Sequence, residues 1–247
     1  MSANFDLLEL LFTRVVGRPP KTAQVSDSAV RKTMKGLRAE VLERVGEAAD
    51  VFRVPAVYLT FWQRFGGEKA LTDKVTTLYA PEQLRTSSSH LIFGLHHAAK
   101  DYFGLDHFVL EDDDPDTMHV KTKKLQNEYE DDDFDPSDVW EDFTVSLTYG
   151  LLAIASENLL RALKRRVLLR DCNTKPFRTL LASMESLYGT DVSEVTVPTL
   201  IYFSRGILLS HWDQTNEAEI GFDTEEREQA FLDKFPQAQR IKGKQGE

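Results

Sequence analysis

A run of carboxylates too dense to fold inward divides this chain. Between Asp106 and Asp142 lie fifteen of its forty Asp and Glu residues against three lysines, a local net charge of −12. The whole 247-residue chain carries −10, so everything outside the run sums to about +2. Like charges at this density repel one another and seek water, cations or a basic surface. The run cannot join a core, so the apolar residues on either side must build one without it. This predicts an N-terminal helical half over 1–105, an acidic insertion over 106–138, a C-terminal helical half over 139–236 and a disordered tail over 237–247.

Apolar spacing sets the expected elements. Phe5, Leu8, Leu11, Phe12 and Val15 recur at helical intervals until Gly17 and Pro19-Pro20 end the pattern. Ser26 or Asp27 caps a second helix running to about Arg53, with Val30, Leu37, Val41, Val45 and Ala48 as its stripe. Val57–Phe65 and Leu71–Tyr79 read as further helices. Ser87, Ser88 and Ser89 offer capping hydroxyls to a helix from His90 to Phe103. His107–Leu110 and Met118–Thr122 flank turn-rich residues and suit one small β-hairpin. Helices are expected again over Val139 to about Arg170, Thr174–Tyr188, Pro198 to about Gln214 and Thr224–Phe235. The predicted class is mainly α, a helical bundle of about eight helices with an exposed acidic insertion.

Composition narrows the setting. No apolar run reaches eighteen residues, so no membrane span is expected. Asp6 and Glu9 interrupt the N-terminal apolar stretch, which reads as an amphipathic helix and not a signal peptide. Cys172 is the only cysteine, which excludes an internal disulfide and points to a reducing, cytoplasmic location. Walker A, G-x-G-x-x-G and G-x-S-x-G motifs are absent, and no cofactor is implied.

The acidic run supplies the first candidate site. Asp112-Asp113-Asp114 and Asp131-Asp132-Asp133 sit in D-D-x-x-D spacing, but Pro115 and Pro136 oppose the helix that Mg²⁺–diphosphate chemistry requires. Pro136 also stands where an EF-hand needs glycine, and Asp142 where it needs glutamate, so no metal is assigned. The reading that remains is a protein partner with a basic surface. Asp112, Asp113, Asp114, Asp131, Asp132 and Asp133 supply steering, and Phe134 and Trp140 act as aromatic anchors. Trp140 reads equally well as the first core residue of the long helix that follows.

Two basic clusters leave nucleic acid open as a partner. Arg161, Lys164, Arg165 and Arg166 fall on neighbouring turns of an expected helix, and a second cluster runs from Arg14 to Arg38. Intramolecular attraction of either cluster to the acidic run is the alternative reading. Arg205 and His211 stand with five residues between them, after the apolar run Leu200-Ile201-Tyr202-Phe203-Ser204. This spacing resembles the R-x(4–6)-H pair of HEPN-type ribonucleases. That resemblance implies a helical bundle in which Arg205 stabilises phosphate charge and His211 transfers a proton without metal. Gly206 follows Arg205 where that family often carries asparagine. The sequence thus supports a non-catalytic regulatory protein docking a basic partner. The alternatives are a metal-independent ribonuclease and a helical subunit of a nucleoprotein assembly. Oligomeric state is not legible.

Overall fold

Three stretches dense enough in apolar residues to suggest helix are instead paired as strands. The computed structural model describes residues 2–48, 50–115, 117–121, 140–144, 146–188, 199–212 and 215–241. It is a mixed α and β protein with two antiparallel six-stranded sheets, not an all-α helical bundle. The chain divides into two compact units, one formed by Lys21–Leu151 and the other by Met1–Pro20 with Leu152–Glu247. The N-terminal helix therefore belongs with the C-terminal residues.

In the Lys21–Leu151 unit, helix α2 spans Asp27–Val45. Ser26 accepts the Ala29 N–H as its N-cap, and Gly46 closes it in the left-handed region at φ 79°. Helices α3 (Ala56–Phe65) and α4 (Lys69–Thr72) follow, then strands β1 (Thr76–Leu78), β2 (Arg85–Thr86), β3 (His90–His96), β4 (Asp101–Asp106), β5 (Met118–Lys121) and β6 (Glu141–Thr144). Their order is β1-β3-β4-β5-β6, with β2 also on β3. Ser87–Ser89 does not cap a helix here. The Ser87 hydroxyl accepts the backbone N–H groups of Ser89 and His90, making a turn that feeds β3. The run His90-Leu-Ile-Phe-Gly-Leu-His96 is seven residues long, a strand's length and short for a helix. Tyr58 of α3 is 1% exposed, with its ring edge-on to Phe93 of β3 at 5.5 Å. Its hydroxyl donates to the carbonyls of Tyr79 at 2.6 Å and Phe93 at 3.2 Å.

Helix α1 (Ser2–Val16) opens the other unit, with Phe5, Leu8, Leu11, Phe12 and Val15 fully buried. Helix α5 (Leu147–Ala162) carries the boundary between units and is followed by β7 (Arg165–Arg170), α6 (Lys175–Ala182), β8 (Glu185–Ser186), β9 (Leu200–Ser204), β10 (Ile207–Trp212), β11 (Glu217–Phe222), α7 (Glu225–Lys234) and β12 (Gln239–Arg240). The sheet order is β12-β7-β11-β10-β9-β8. Residues 139–170, expected as one helix, are thus strand, helix and strand. Residues 198–214, expected as one buried helix, are the β9–β10 hairpin. Arg205-Gly206 forms its two-residue turn, with Gly206 at φ 74°. A Cβ at Gly206 would lie 2.4 Å from the Asp223 and Arg227 side chains.

Both faces of this second sheet are covered, which explains the misreading. One face packs Leu209, Ala218, Ile220 and Phe222 against Phe177, Phe231 and Phe235 of and beside α6 and α7. On the other, Gly221 lies under Leu160 of α5 and Leu163 just after it. Strands buried on both sides lose polar alternation and become near-continuous apolar runs. No helix among the described residues is long and apolar enough to cross a membrane.

Candidate functional site

The ordered head of the acidic run is built around a single turn of 3₁₀ helix. Strand β4 ends at Asp106, whose carboxylate accepts the Phe108 N–H at 2.8 Å and caps the turn His107–Val109. His107 is buried, its Nε2 3.0 Å from the Thr86 hydroxyl and its ring against Phe52. Leu110 is fully buried as well. With both neighbours pinned inward at about three residues per turn, Phe108 is turned out and is 71% exposed. Beside it Glu111, Asp112 and Asp113 face solvent.

The aspartates at 112–114 divide their labour. Asp113 pairs with Arg53 at 3.0 Å, while its carbonyl accepts the Val57 N–H. Asp114 accepts the Thr148 N–H at 3.1 Å and the Thr148 hydroxyl at 2.7 Å, capping the first turn of α5. Asp112 is exposed and has no such structural duty among the described residues. Asp131, Asp132, Asp133 and Phe134 lie outside the described residues. Replacing Asp114 with alanine is expected to cost about 1 kcal/mol, the usual loss of a helix cap. Chemical denaturation checks it, with Asp112→Ala as the neutral control.

Trp140 is neither an exposed anchor nor the start of the helix. Its ring stacks on His90, with centroids 4.1 Å apart and 13° between planes. Gly104 makes the stack possible, because a Cβ there would lie 2.8 Å from the indole carbons. Through His90 runs a chain of hydrogen-bonding side chains. Ser89 Oγ lies 2.7 Å from His90 Nδ1, His90 Nε2 lies 2.7 Å from His119 Nδ1, and His119 Nε2 lies 3.3 Å from Asp142 Oδ1. Gly104→Ala is expected to dislodge Trp140 and cost about 1–3 kcal/mol, as overpacking does. The change appears as a loss of near-UV dichroism; an unchanged spectrum would remove the steric argument.

The basic residues of the C-terminal half meet carboxylates in their own unit. Arg161 donates to both oxygens of Glu219 at 2.8 and 2.7 Å, and Arg166 to one at 2.8 Å. Arg165 pairs with Glu225 at 3.1 Å and Arg170 with Glu217 at 3.2 Å. Lys164 stands exposed between α5 and β7. They do not share one helix face, since Arg165 and Arg166 alternate on a strand.

Arg205 and His211 are not brought together. Arg205 is exposed in the β9–β10 turn, and His211 lies four residues beyond Ile207 on β10, about 13 Å from the end of the turn at a strand's rise. His211 is buried, 5.5 Å from the Phe177 ring, and lines a cavity of about 370 Å³ with Cys172, Asn173, Arg178 and Asn216. Burial pushes the Cys172 thiol up from 9.0 to about 12, with Asp171 and Glu217 adding to the effect. A thiol so protonated is a poor nucleophile. At pH 8 its thiolate fraction falls about a thousandfold, so labelling by iodoacetamide is expected to require unfolding. The same shift favours the folded state below pH 9, and that contribution is lost as pH rises through 12.

Among the described residues, no three histidine, cysteine or carboxylate side chains gather to hold a metal ion. Comparison with known proteins finds no match to this chain among protein families, curated sequences or solved structures.

Sequence reasoning did not find Phe108. It sits between His107 and Val109 in a run that reads as strand, and only the 3₁₀ turn separates its environment from theirs.

Proposed function

We propose that this chain is a non-catalytic interaction protein that docks a basic protein surface through its acidic stretch. One observation carries the reading. Arg161, Arg165, Arg166 and Arg170 are already paired with Glu217, Glu219 and Glu225, so these four arginines are engaged within their own unit. Glu111 and Asp112 meanwhile face solvent at the head of a stretch carrying −12. The cation that balances them is best supplied by a partner. The lone, buried thiol of Cys172 suits a reducing, cytoplasmic setting.

Deleting the whole acidic stretch would be a poor test, because Asp114, Pro115 and β5 lie within it. Neutralising Glu111, Asp112, Asp131, Asp132 and Asp133 to their amides leaves those contacts in place. Capture of a lysine- and arginine-rich peptide is expected to weaken about tenfold at low salt and to become less salt-dependent. Equal binding by both versions would refute the docking role of the acidic stretch.

A further inference from the structure

Charge steers but does not hold, and the Lys21–Leu151 unit carries the apolar surface that a held contact needs. Among the described residues five large hydrophobic side chains are exposed: Val16, Leu42, Val45, Val51 and Phe108. Four of the five fall in this unit. Phe108 and Val51 line one shallow depression of about 250 Å³ with Ala48, Asp50 and Glu111. Leu42 and Val45 are three residues apart on the last turns of α2 and so share a face. Val45 lies three residues before Ala48, within about 11 Å of chain reach. Arg38 of α2 donates to the Asp50 carbonyl at 2.6 Å, which ties this loop back against the same helix.

The rim of this patch is acidic. Asp50 and Glu111 line the depression, and Glu43, Glu47 and Asp112, close to its lining residues in the chain, are exposed. The nearby arginines are occupied: Arg44 by Glu40, and Arg53 by Asp113 and the Glu111 carbonyl. Apolar Val51 and Phe108 beside the carboxylates of Asp50 and Glu111 complement an apolar side chain flanked by lysine or arginine. A second copy presenting this same surface would set carboxylate against carboxylate, which opposes symmetric self-pairing.

The geometry points to Phe108 and Val51 as the anchor for a basic amphipathic segment of a partner protein, seated in the depression they share with Ala48. This deepens the docking reading and rests on it. The acidic stretch brings the segment in, and the exposed ring, buried on contact, supplies most of the holding free energy.

The test uses the full chain and two synthetic probes of equal charge, one alternating lysine with leucine and tryptophan, the other lysine with serine. Fluorescence anisotropy is expected to show the first binding at least tenfold more tightly. Phe108→Ala with Val51→Ser should erase that advantage, while Val16→Ser, an exposed apolar position in the other unit, should leave it. Because Phe108 and Val51 are exposed, unchanged far-UV dichroism will verify the fold. An advantage that survives Phe108→Ala with Val51→Ser would overturn the anchor. So would equal binding of the two probes, though the charge reading would stand if the amide variants still weakened both. Probe binding indifferent to the amide variants would remove the docking reading itself. Concentration-dependent dimers lost on Phe108→Ala would assign the patch to a second copy and overturn the proposed partner.

Discussion

Glu219→Gln is expected to be among the most damaging single substitutions, costing about 3–5 kcal/mol of folding stability. Glu219 is 3% exposed on β11, and its carboxylate receives two bonds from Arg161 and one from Arg166. Both guanidiniums come from neighbouring elements, the end of α5 and the start of β7. The ion pairs therefore fix where that helix crosses the sheet. Glutamine keeps the shape but removes the charge, leaving two partly buried cations side by side with one neutral acceptor. Losing one member of a buried ion group costs more than the group contributes, because the remaining charges stay desolvated. Replacing Glu219, Arg161 and Arg166 together by leucine and methionine should accordingly cost much less than Glu219→Gln alone. Urea unfolding of the two variants provides the comparison. A triple variant less stable than the single one would mean that these charges stabilise the fold on balance.

Tyr58→Ala is expected to lose about 3–5 kcal/mol, the range for removing a large buried ring. The more telling variant is Tyr58→Phe. It keeps the ring against Phe93 and removes only the hydroxyl that donates to the carbonyls of Tyr79 and Phe93. Those carbonyls belong to β3 and to the residue just after β1, so one proton ties α3 to two neighbouring segments of the sheet. Leaving a buried acceptor unsatisfied costs about 1–3 kcal/mol. Burial also pushes the phenol's pKa above its ordinary value. Its contribution to stability is thus present below pH 10 and declines only as the pH rises beyond that, toward the raised folded value. A Tyr58→Phe protein as stable as the parent would place the whole effect in packing.

Helix periodicity was a sound guide where one side of the element meets solvent. Helices α1, α3 and α7 lie where apolar spacing and the proline or glycine stops place them, and Ser26 caps α2 as its position suggests. The guide failed where both faces are covered. His90–His96 and Leu200–Trp212 carry apolar residues at nearly every position, so a period of two and a period of 3.6 fit them alike. Gly206 was the available correction. A glycine between two five-to-six-residue apolar runs is a hairpin mark, and it outweighs helical spacing.

The site was legible in part. Charge counting located the acidic stretch, but not which aspartates are structural: Asp113 and Asp114 have partners on α5 and near α3 that are distant in sequence. Trp140 was chosen as an anchor for its carboxylate neighbours. Its stack on His90 depends on Gly104, a contact between residues on different sides of the acidic stretch that no local pattern reveals.

The assignment of α1 to the same unit as Leu152–Glu247 has a consequence for how the chain is made. On the ribosome α1 emerges before the Lys21–Leu151 unit, yet the sheet beside it is completed only with β12, after roughly 220 further residues have been added. At about 5–20 residues per second that is a delay of roughly ten to forty-five seconds. Throughout it, Phe5, Leu8, Leu11, Phe12 and Val15 are an unsheltered greasy stripe, while the Lys21–Leu151 unit has all its parts in hand. The nascent chain is therefore most exposed to aggregation at α1. A chaperone that holds α1 until β12 is made is expected to raise the yield of folded protein.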